Sequence, residues 1–256
     1  MELAISVLSE AGGRGANEDA YGVWSAAGAC FCVLSDGAGG HAAGAAASKL
    51  AVESVLDCCR RTPEPAPPVL AAALEQANAA LVARRLEAPG RPEMRATVLV
   101  LALDTVNATA CWAHLGDTRL YCFRGGRIVV QTRDHSVVQG MVEAGYLAPA
   151  DLRAAPGRNV LLGALGDATN FAPRVQVTPF PLRDGDIFLL CTDGLWEHVD
   201  ETVMERLLRL APSAAGWLGS MEQEVLRHAP ANADNYSALA VLCREPGARA
   251  GAPGNG

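Results

Sequence analysis

The 256 residues predict an α+β layered sandwich, and three observations carry that expectation. Apolar runs of strand length follow one another instead of alternating singly with helices. Helix-like stretches come in pairs, one pair near the front of the chain and one near its end. Half of the residues are hydrophobic, enough to bury the core of one large domain.

Taken in order, Leu3 to Leu8 and Ala29 to Ser35 are β-compatible runs, and the polar segment Ala11 to Asp19 between them reads as a loop. From His41 to Arg60 an Ala-rich stretch places Ala45, Leu50, Val52, Val55 and Leu56 near helical spacing, and Pro63 to Pro68 ends it. A second helix is expected over Val69 to Glu87. Ala96 to Leu103, Ala108 to His114, Arg119 to Phe123 and Arg127 to Gln131 then form an antiparallel meander, with turns at Asp104 to Asn107 and Arg124 to Gly126. Asp134 to Ala144 reads as a helix with Asp134 as its N-cap and Gly145 just past its end. Pro149 to Gly166 is irregular, and the expectation is a mobile insert beside the site. Asp186 to Cys191 is a strand, Glu201 to Leu210 and Ala214 to His228 are helices, and Ser237 to Cys243 returns to strand. One domain over 1–244 is expected, followed by a disordered Gly, Ala and Pro tail over 245–256.

Composition narrows the function classes. A net charge of −7 without any Lys/Arg cluster argues against nucleic acid as a partner. The longest apolar stretches, Ala26 to Leu34 and Ala96 to Leu103, are far short of the roughly 20 residues that span a bilayer, so no membrane insertion is expected. Met1 to Ser6 lacks the pattern of a secretory signal, which makes the cytoplasm the expected location. Cys30, Cys32, Cys111, Cys122, Cys191 and Cys243 lie in apolar strand-like runs and no Cys-x-x-Cys pair occurs, so the cysteines read as reduced core residues. Trp196 and Trp217 likewise read as core.

Three aspartates share one setting: Asp36 and Asp193 follow apolar strands and Asp234 precedes one. A carboxylate just beyond a buried strand is held rigidly while facing a cleft, as a metal site requires. A single Asp-Gly after a strand is usually a turn. Here two such steps, Asp36-Gly37 and Asp193-Gly194, come together with Asn17-Glu18-Asp19 and Asp234-Asn235, and that coincidence favours a site.

The ordered series Arg14-Gly-Ala-Asn-Glu-Asp-Ala20, Ser35-Asp-Gly-Ala-Gly-Gly-His41, Ala96-Thr-Val-Leu99, Gly116-Asp-Thr-Arg-Leu-Tyr121, Asp134-His-Ser136, Cys191-Thr-Asp-Gly-Leu-Trp196 and Asp234-Asn-Tyr-Ser237 resembles the PPM family of metal-dependent protein phosphatases. The resemblance runs through nearly the whole chain and implies two antiparallel sheets flanked by helix pairs, a four-layer α-β-β-α sandwich. It implies two Mn²⁺ or Mg²⁺ ions per site: Asp36 bridging them, the Gly37 carbonyl on one, Asp193 and Asp234 on the other, Glu18 and Asp19 nearby. Asp36, Asp193 and Asp234 are thereby the catalytic set, acting through a water whose pKa the ion pair lowers. Hard cations of this kind take oxygen ligands, which fits aspartate and excludes cysteine and histidine. Arg14 matches the arginine that holds the substrate phosphate, for which a guanidinium fork is suited. Asp117 matches a ligand of a third metal, with Glu197 where several relatives carry another acid.

The chain departs from some relatives in having Ala38 where they carry a histidine thought to protonate the leaving oxygen; His41 reads as a loop or helix-start residue without that duty. The implied activity is hydrolysis of phosphoserine or phosphothreonine on a phosphoprotein, opposing a cognate Ser/Thr kinase and acting on its targets. Without an extra domain, and with Asp134 to Gly145 as it stands, the chain resembles compact bacterial members, including those of type VI secretion clusters. Two alternatives stand beside this: a regulator of one partner such as an anti-anti-sigma factor, and an inactive relative that binds phosphoproteins.

Overall fold

The computed structural model describes residues 1–26, 28–87 and 94–247, with His41 described by its backbone alone. The chain opens with β1 (Glu2–Glu10), β2 (Asp19–Ala26) and β3 (Ala29–Ala38), followed by α1 (His41–Arg61) and α2 (Pro67–Leu86). Next come β4 (Arg95–Ala96), β5 (Val98–Asp104), β6 (Thr109–Leu115), β7 (Arg119–Arg124), β8 (Arg127–Gln131) and α3 (Val137–Glu143). A 3-10 turn (Pro149–Ala154) leads to β9 (Arg174–Val175), β10 (Phe180–Pro181), β11 (Ile187–Cys191), α4 (Asp193–Trp196), α5 (Glu201–Leu210), α6 (Ala214–His228) and β12 (Tyr236–Arg244).

Strand order is β1-β12-β11-β7-β8 in one sheet and β10-β6-β5-β3-β2 in the other, with β4 on β3 and β9 on β6; every pairing is antiparallel. Side chains alternate across a strand, and in β3 both faces are covered. Phe31 and Val33 pack with Ala51, Val55, Leu70 and Leu74 of α1 and α2, while Cys30, Cys32 and Leu34 meet Leu190, Leu239 and Val241 of the facing sheet. On the far side Leu189, Cys191 and Ala240 pack with Trp217, Met221 and Val225 of α6. Three apolar interfaces between four layers result, which is the expected sandwich.

Local chemistry sets the helix ends. Proline occupies the first turn of α2, where a missing N–H costs nothing. Asp200 accepts from Val203 N at 2.8 Å to start α5, and Ser213 accepts from Gly216 N at 3.1 Å to start α6. Gly145 takes a positive φ of 77° just past α3, the left-handed cap expected there. Trp196 and Trp217 are fully buried, and all eight cysteines are free, seven of them buried. Among the described residues no helix is long and apolar enough to cross a membrane. Of the tail expected to be disordered, 248–256 lies outside the described residues.

Three expectations need correction. Ala20 to Ala26 carries no assignment from pattern alone, yet belongs to β2, an edge strand with Tyr21 and Val23 exposed. Its inward position Gly22 has no side chain because Leu56 and Val52 fill that space, so the apolar alternation is diluted. Secondly, β9 and β10 are two-residue strands too short to leave a pattern. Thirdly, Asp134 does not cap α3. Ser136 does, accepting from Gln139 N at 3.2 Å, and the helix starts at Val137.

Asp134 instead answers a buried charge. Arg119 points from β7 into the core beneath Trp196, its guanidinium 3.5 Å from the ring centroid, and donates through Nε and Nη2 to both Asp134 oxygens at 2.8 and 2.7 Å. Removing one partner of such a pair strands the other. Asp134→Ala is therefore expected to destabilise the fold by about 3 kcal/mol in denaturant unfolding, well beyond the roughly 1 kcal/mol loss of a helix cap.

Candidate active site

The acidic residues gather at one edge of the sandwich, where both of the packed sheets contribute to a single cleft. β3 runs three residues past Ser35 because Gly37 and Ala38 pair with Ala96 and Arg95 of β4. Asp36 thus lies within a strand, not beyond its end, and stands opposite Asp19, the first residue of β2. Asp193 opens α4 directly after Thr192, and Asp234 precedes β12 by two residues.

Neutral side chains that pattern reading gave no role fix these positions. The Thr97 hydroxyl accepts from Asp36 N at 2.9 Å while Thr97 N donates to Asp36 O at 2.8 Å. Thr192 donates to Asp19 Oδ2 at 3.0 Å and accepts from Ser237 N at 2.9 Å, joining one sheet to the other. Asn235 accepts from Glu18 N at 2.8 Å and donates to the carbonyls of Ala11 and Ala16 at 2.8 and 2.9 Å, so it pins the 11–18 loop against β12. All three stand inside motifs already singled out, but a hydroxyl or amide gives no signal of its own in sequence. Gly37 and Gly44 allow the close approach: a Cβ on Gly37 would lie 2.0 Å from Gly44 O, and one on Gly44 1.9 Å from Glu18 Oε2.

Arg14, Glu18, Asp36, Gly37, Asp117, Asp193 and Asp234 all line one cleft of about 610 Å³. Asp19 is not part of its wall; it lies behind, against Thr192. Arg14 Nη2 sits 2.9 Å from Asp234 Oδ2, both half-exposed. Leu161 to Ala164, from the irregular segment before β9, close one side. That segment also sends Arg158 to Glu197 in a two-point ion pair of 2.5 and 2.6 Å, so the acid expected beside a third metal is already matched by a cation. A second depression of about 630 Å³ lies around Arg119, Arg153 and Glu201, but there Arg153 and Glu201 are paired at 2.8 Å and Arg119 is held by Asp134.

The cleft is electrostatically strained. Burial first, then the charges of Asp193, Asp19, Asp117 and Asp234, push the Asp36 carboxyl well above the usual range. Burial and Asp117, Glu197, Asp234 and Asp19 do the same to Asp193. Asp117 is raised to about 7 by burial and then by Asp134; Asp19 reaches about 6 by burial, against the hydroxyls of Ser237 and Thr192. Asp19 Oδ1 and Asp193 Oδ1 are buried without any hydrogen-bond partner. Unpaired acceptors and mutually repelling carboxylates are what a bound cation would relieve. Among the described residues no three acidic, His or Cys side chains form a ready-made cage. A hard cation that keeps most of its waters needs only one or two carboxylates at a time, so oxygen donors spread along a cleft fit Mg²⁺ or Mn²⁺.

A pH dependence follows. Carboxylates with raised folded pKa values hold protons that the unfolded chain has already released, so stability falls as pH rises towards those values. His114, depressed to about 4 by burial, acts in the opposite sense only below its ordinary 6.5. Metal-stripped protein is therefore expected to lose melting temperature between pH 6.5 and about 8, and added Mn²⁺ to flatten that slope, as a thermal-shift series would record.

Residues 13–229 match the family described as protein phosphatase 2C. The serine/threonine protein phosphatase PstP of Mycobacterium tuberculosis is 36% identical over 200 residues, 76% of this chain. The match spans 36% of that relative's length, about a third. The catalytic domain of PstP, solved in complex with two manganese ions, superposes with a TM-score of 0.80 at 27% identity, covering 95% of this chain and 99% of that one. PppA, a regulatory component of the type VI secretion system in Pseudomonas aeruginosa, superposes with a TM-score of 0.75 at 29% identity, covering 94% and 98%. With a family match over most of its length and that family's sandwich around an acidic cleft, this chain belongs to the protein phosphatase 2C family.

Proposed function

We propose that the chain is a metal-dependent protein serine/threonine phosphatase, and the observation that carries this reading is the convergence of Asp36, Asp193, Asp117 and Asp234 on one cleft, where only Asp234 has an ion-pair partner among the described residues, Arg14. Asp36 and Gly37 face the cleft from one sheet, Asp193 and Asp234 from the other, so a pair of divalent cations would be held across the seam. Glu18, in the cleft wall, would serve that site through water, Asp19 would support it from behind, and Asp117 would be a ligand of a third ion. When bound, the cations supply charge neutralisation and a water of lowered pKa for attack at phosphorus.

The chain's own residues do the rest. Arg14, at the cleft mouth, is free to turn its guanidinium from Asp234 to the phosphate oxygens, placing the ester and offsetting its charge. Ala38 offers no proton donor, so the serine or threonine alkoxide takes its proton from solvent. Cys191 has no part: it is fully buried and burial pushes its thiol far up.

An inactive phosphoprotein binder would have no use for buried, repelling carboxylates, which lower stability unless an ion is present. The substrate class, phosphoserine or phosphothreonine on a protein, is supported by likeness to PstP, a serine/threonine protein phosphatase; a cytoplasmic setting and a role against a bacterial Ser/Thr kinase belong to the same proposal.

Hydrolysis of p-nitrophenyl phosphate is expected to require Mn²⁺ or Mg²⁺ and to stop with EDTA. Asp36→Asn should cut kcat at least about a hundredfold while leaving the metal-free protein as stable as before or more so. Turnover indifferent to EDTA, or full activity in Asp36→Asn, would reject the reading. Arg14→Ala is expected to raise KM about tenfold with a smaller change in kcat, since it removes phosphate binding and not the attacking group.

A further inference from the structure

Beside the cleft the surface turns apolar. Val137, Gly140 and Met141 share one face of α3, and Val137 and Met141 stay 38% and 41% exposed. The strip Val160 to Leu162 is laid along the start of that helix: Val137 N donates to Val160 O at 2.9 Å, Ser136 bridges Leu161, and Leu162 N donates to His135 O at 2.7 Å. Val160 and Leu162 are 53% and 59% exposed. Leu162 leans over Gly140, whose missing Cβ would lie 4.0 Å from its Cδ1. These four aliphatic side chains, Val137, Met141, Val160 and Leu162, form a shelf left partly exposed among the described residues.

Two features point to what covers it. The shelf is continuous with the catalytic cleft, because Leu161 and Leu162 line that cleft as well. Next to it a recess of about 170 Å³ opens between Leu115, Gly140 and Leu162, large enough for an aliphatic side chain. The three charged residues at the recess are all matched, Arg174 by Glu143 at 3.6 Å and Asp134 by Arg119 at 2.8 and 2.7 Å, so none asks for a charged guest. A substrate backbone that carries its phosphate into the cleft must pass over one of the rims, at about 3.3 Å per residue.

We propose that this shelf is the docking surface for the segment flanking the phosphorylated residue, and that it selects substrates with Leu, Ile, Val or Met within about three residues of it. The inference rests on the phosphatase reading and deepens it, since it names the sequence context the same site takes. Partial burial of one aliphatic side chain corresponds to about tenfold in affinity.

The test measures peptide binding to Mn²⁺-loaded protein by fluorescence polarisation. Peptides carry a non-hydrolysable phosphonate analogue of phosphoserine, with Leu, Ala or Asp at each flanking position in turn. The expected result is that Leu at one or two positions binds about tenfold more tightly than Ala, with Asp weaker still, and that the Leu/Ala ratio falls towards one in Met141→Glu. Glutamate is a good helix former and position 141 is exposed, so the variant folds, which its melting curve verifies. A ratio near one at every position in the wild type, or a ratio that persists in the variant, would overturn the proposal. Turnover of p-nitrophenyl phosphate, followed in parallel, reports on the phosphatase reading, so each can fail alone.

Discussion

Everything in this molecule is arranged around carboxylates that repel one another and are nevertheless held together. Asp117 is buried and Asp36, Asp193 and Asp19 are partly buried, and desolvation and mutual charge both penalise their ionised forms. An arrangement of this kind survives only because rigid elements over-determine it. The two sheets, packed through Leu34, Leu190, Leu239 and their neighbours, supply the stabilisation that the acidic edge lacks. Stability is sacrificed locally where function needs charge, and the apolar layers offset the loss.

The rigidity is graded. Asp36 sits inside a three-strand neighbourhood and is held through its backbone by Thr97, whereas Asp234 lies in a loop before β12 and is half-exposed beside Arg14. The inner part of the cleft is therefore set by sheet geometry and the outer part by side chains that can exchange partners. On the proposed function, chemistry that needs fixed charge would belong at the first, and capture of a mobile phosphoprotein at the second. The irregular segment before β9 belongs to the outer part, tied to the body through Arg158, His135 and Ala96.

Much of this was legible in the chain itself. Apolar runs such as Ala29 to Ser35 announced strands, and α5 and α6 lie at the bounds that their spacing gives. Asp36, Asp193 and Asp234 could be named because each borders an apolar run, whereas Arg14, Gly37 and Asp117 were named only through the family resemblance. What stayed illegible had physical causes. β2 hides behind Gly22, whose lack of a side chain answers Leu56 in another element. The role of Asp134 depended on Arg119, fifteen residues away, since a carboxylate three positions ahead of a helix looks the same whether it caps or pairs. Thr97, Thr192 and Asn235 act through single hydrogen bonds to distant backbone, which no local pattern records.

Thr192 carries a consequence for how the chain matures. Its hydroxyl joins residue 19 to residue 237, near opposite ends of the sequence, and it does so in the layer just beneath the acidic cleft. Neither sheet possesses the site by itself, so a half-assembled intermediate offers incoming ions only scattered weak ligands. On the proposed function, tight ion binding would follow only after both sheets have closed, so metal would stabilise the finished fold over partly assembled chains.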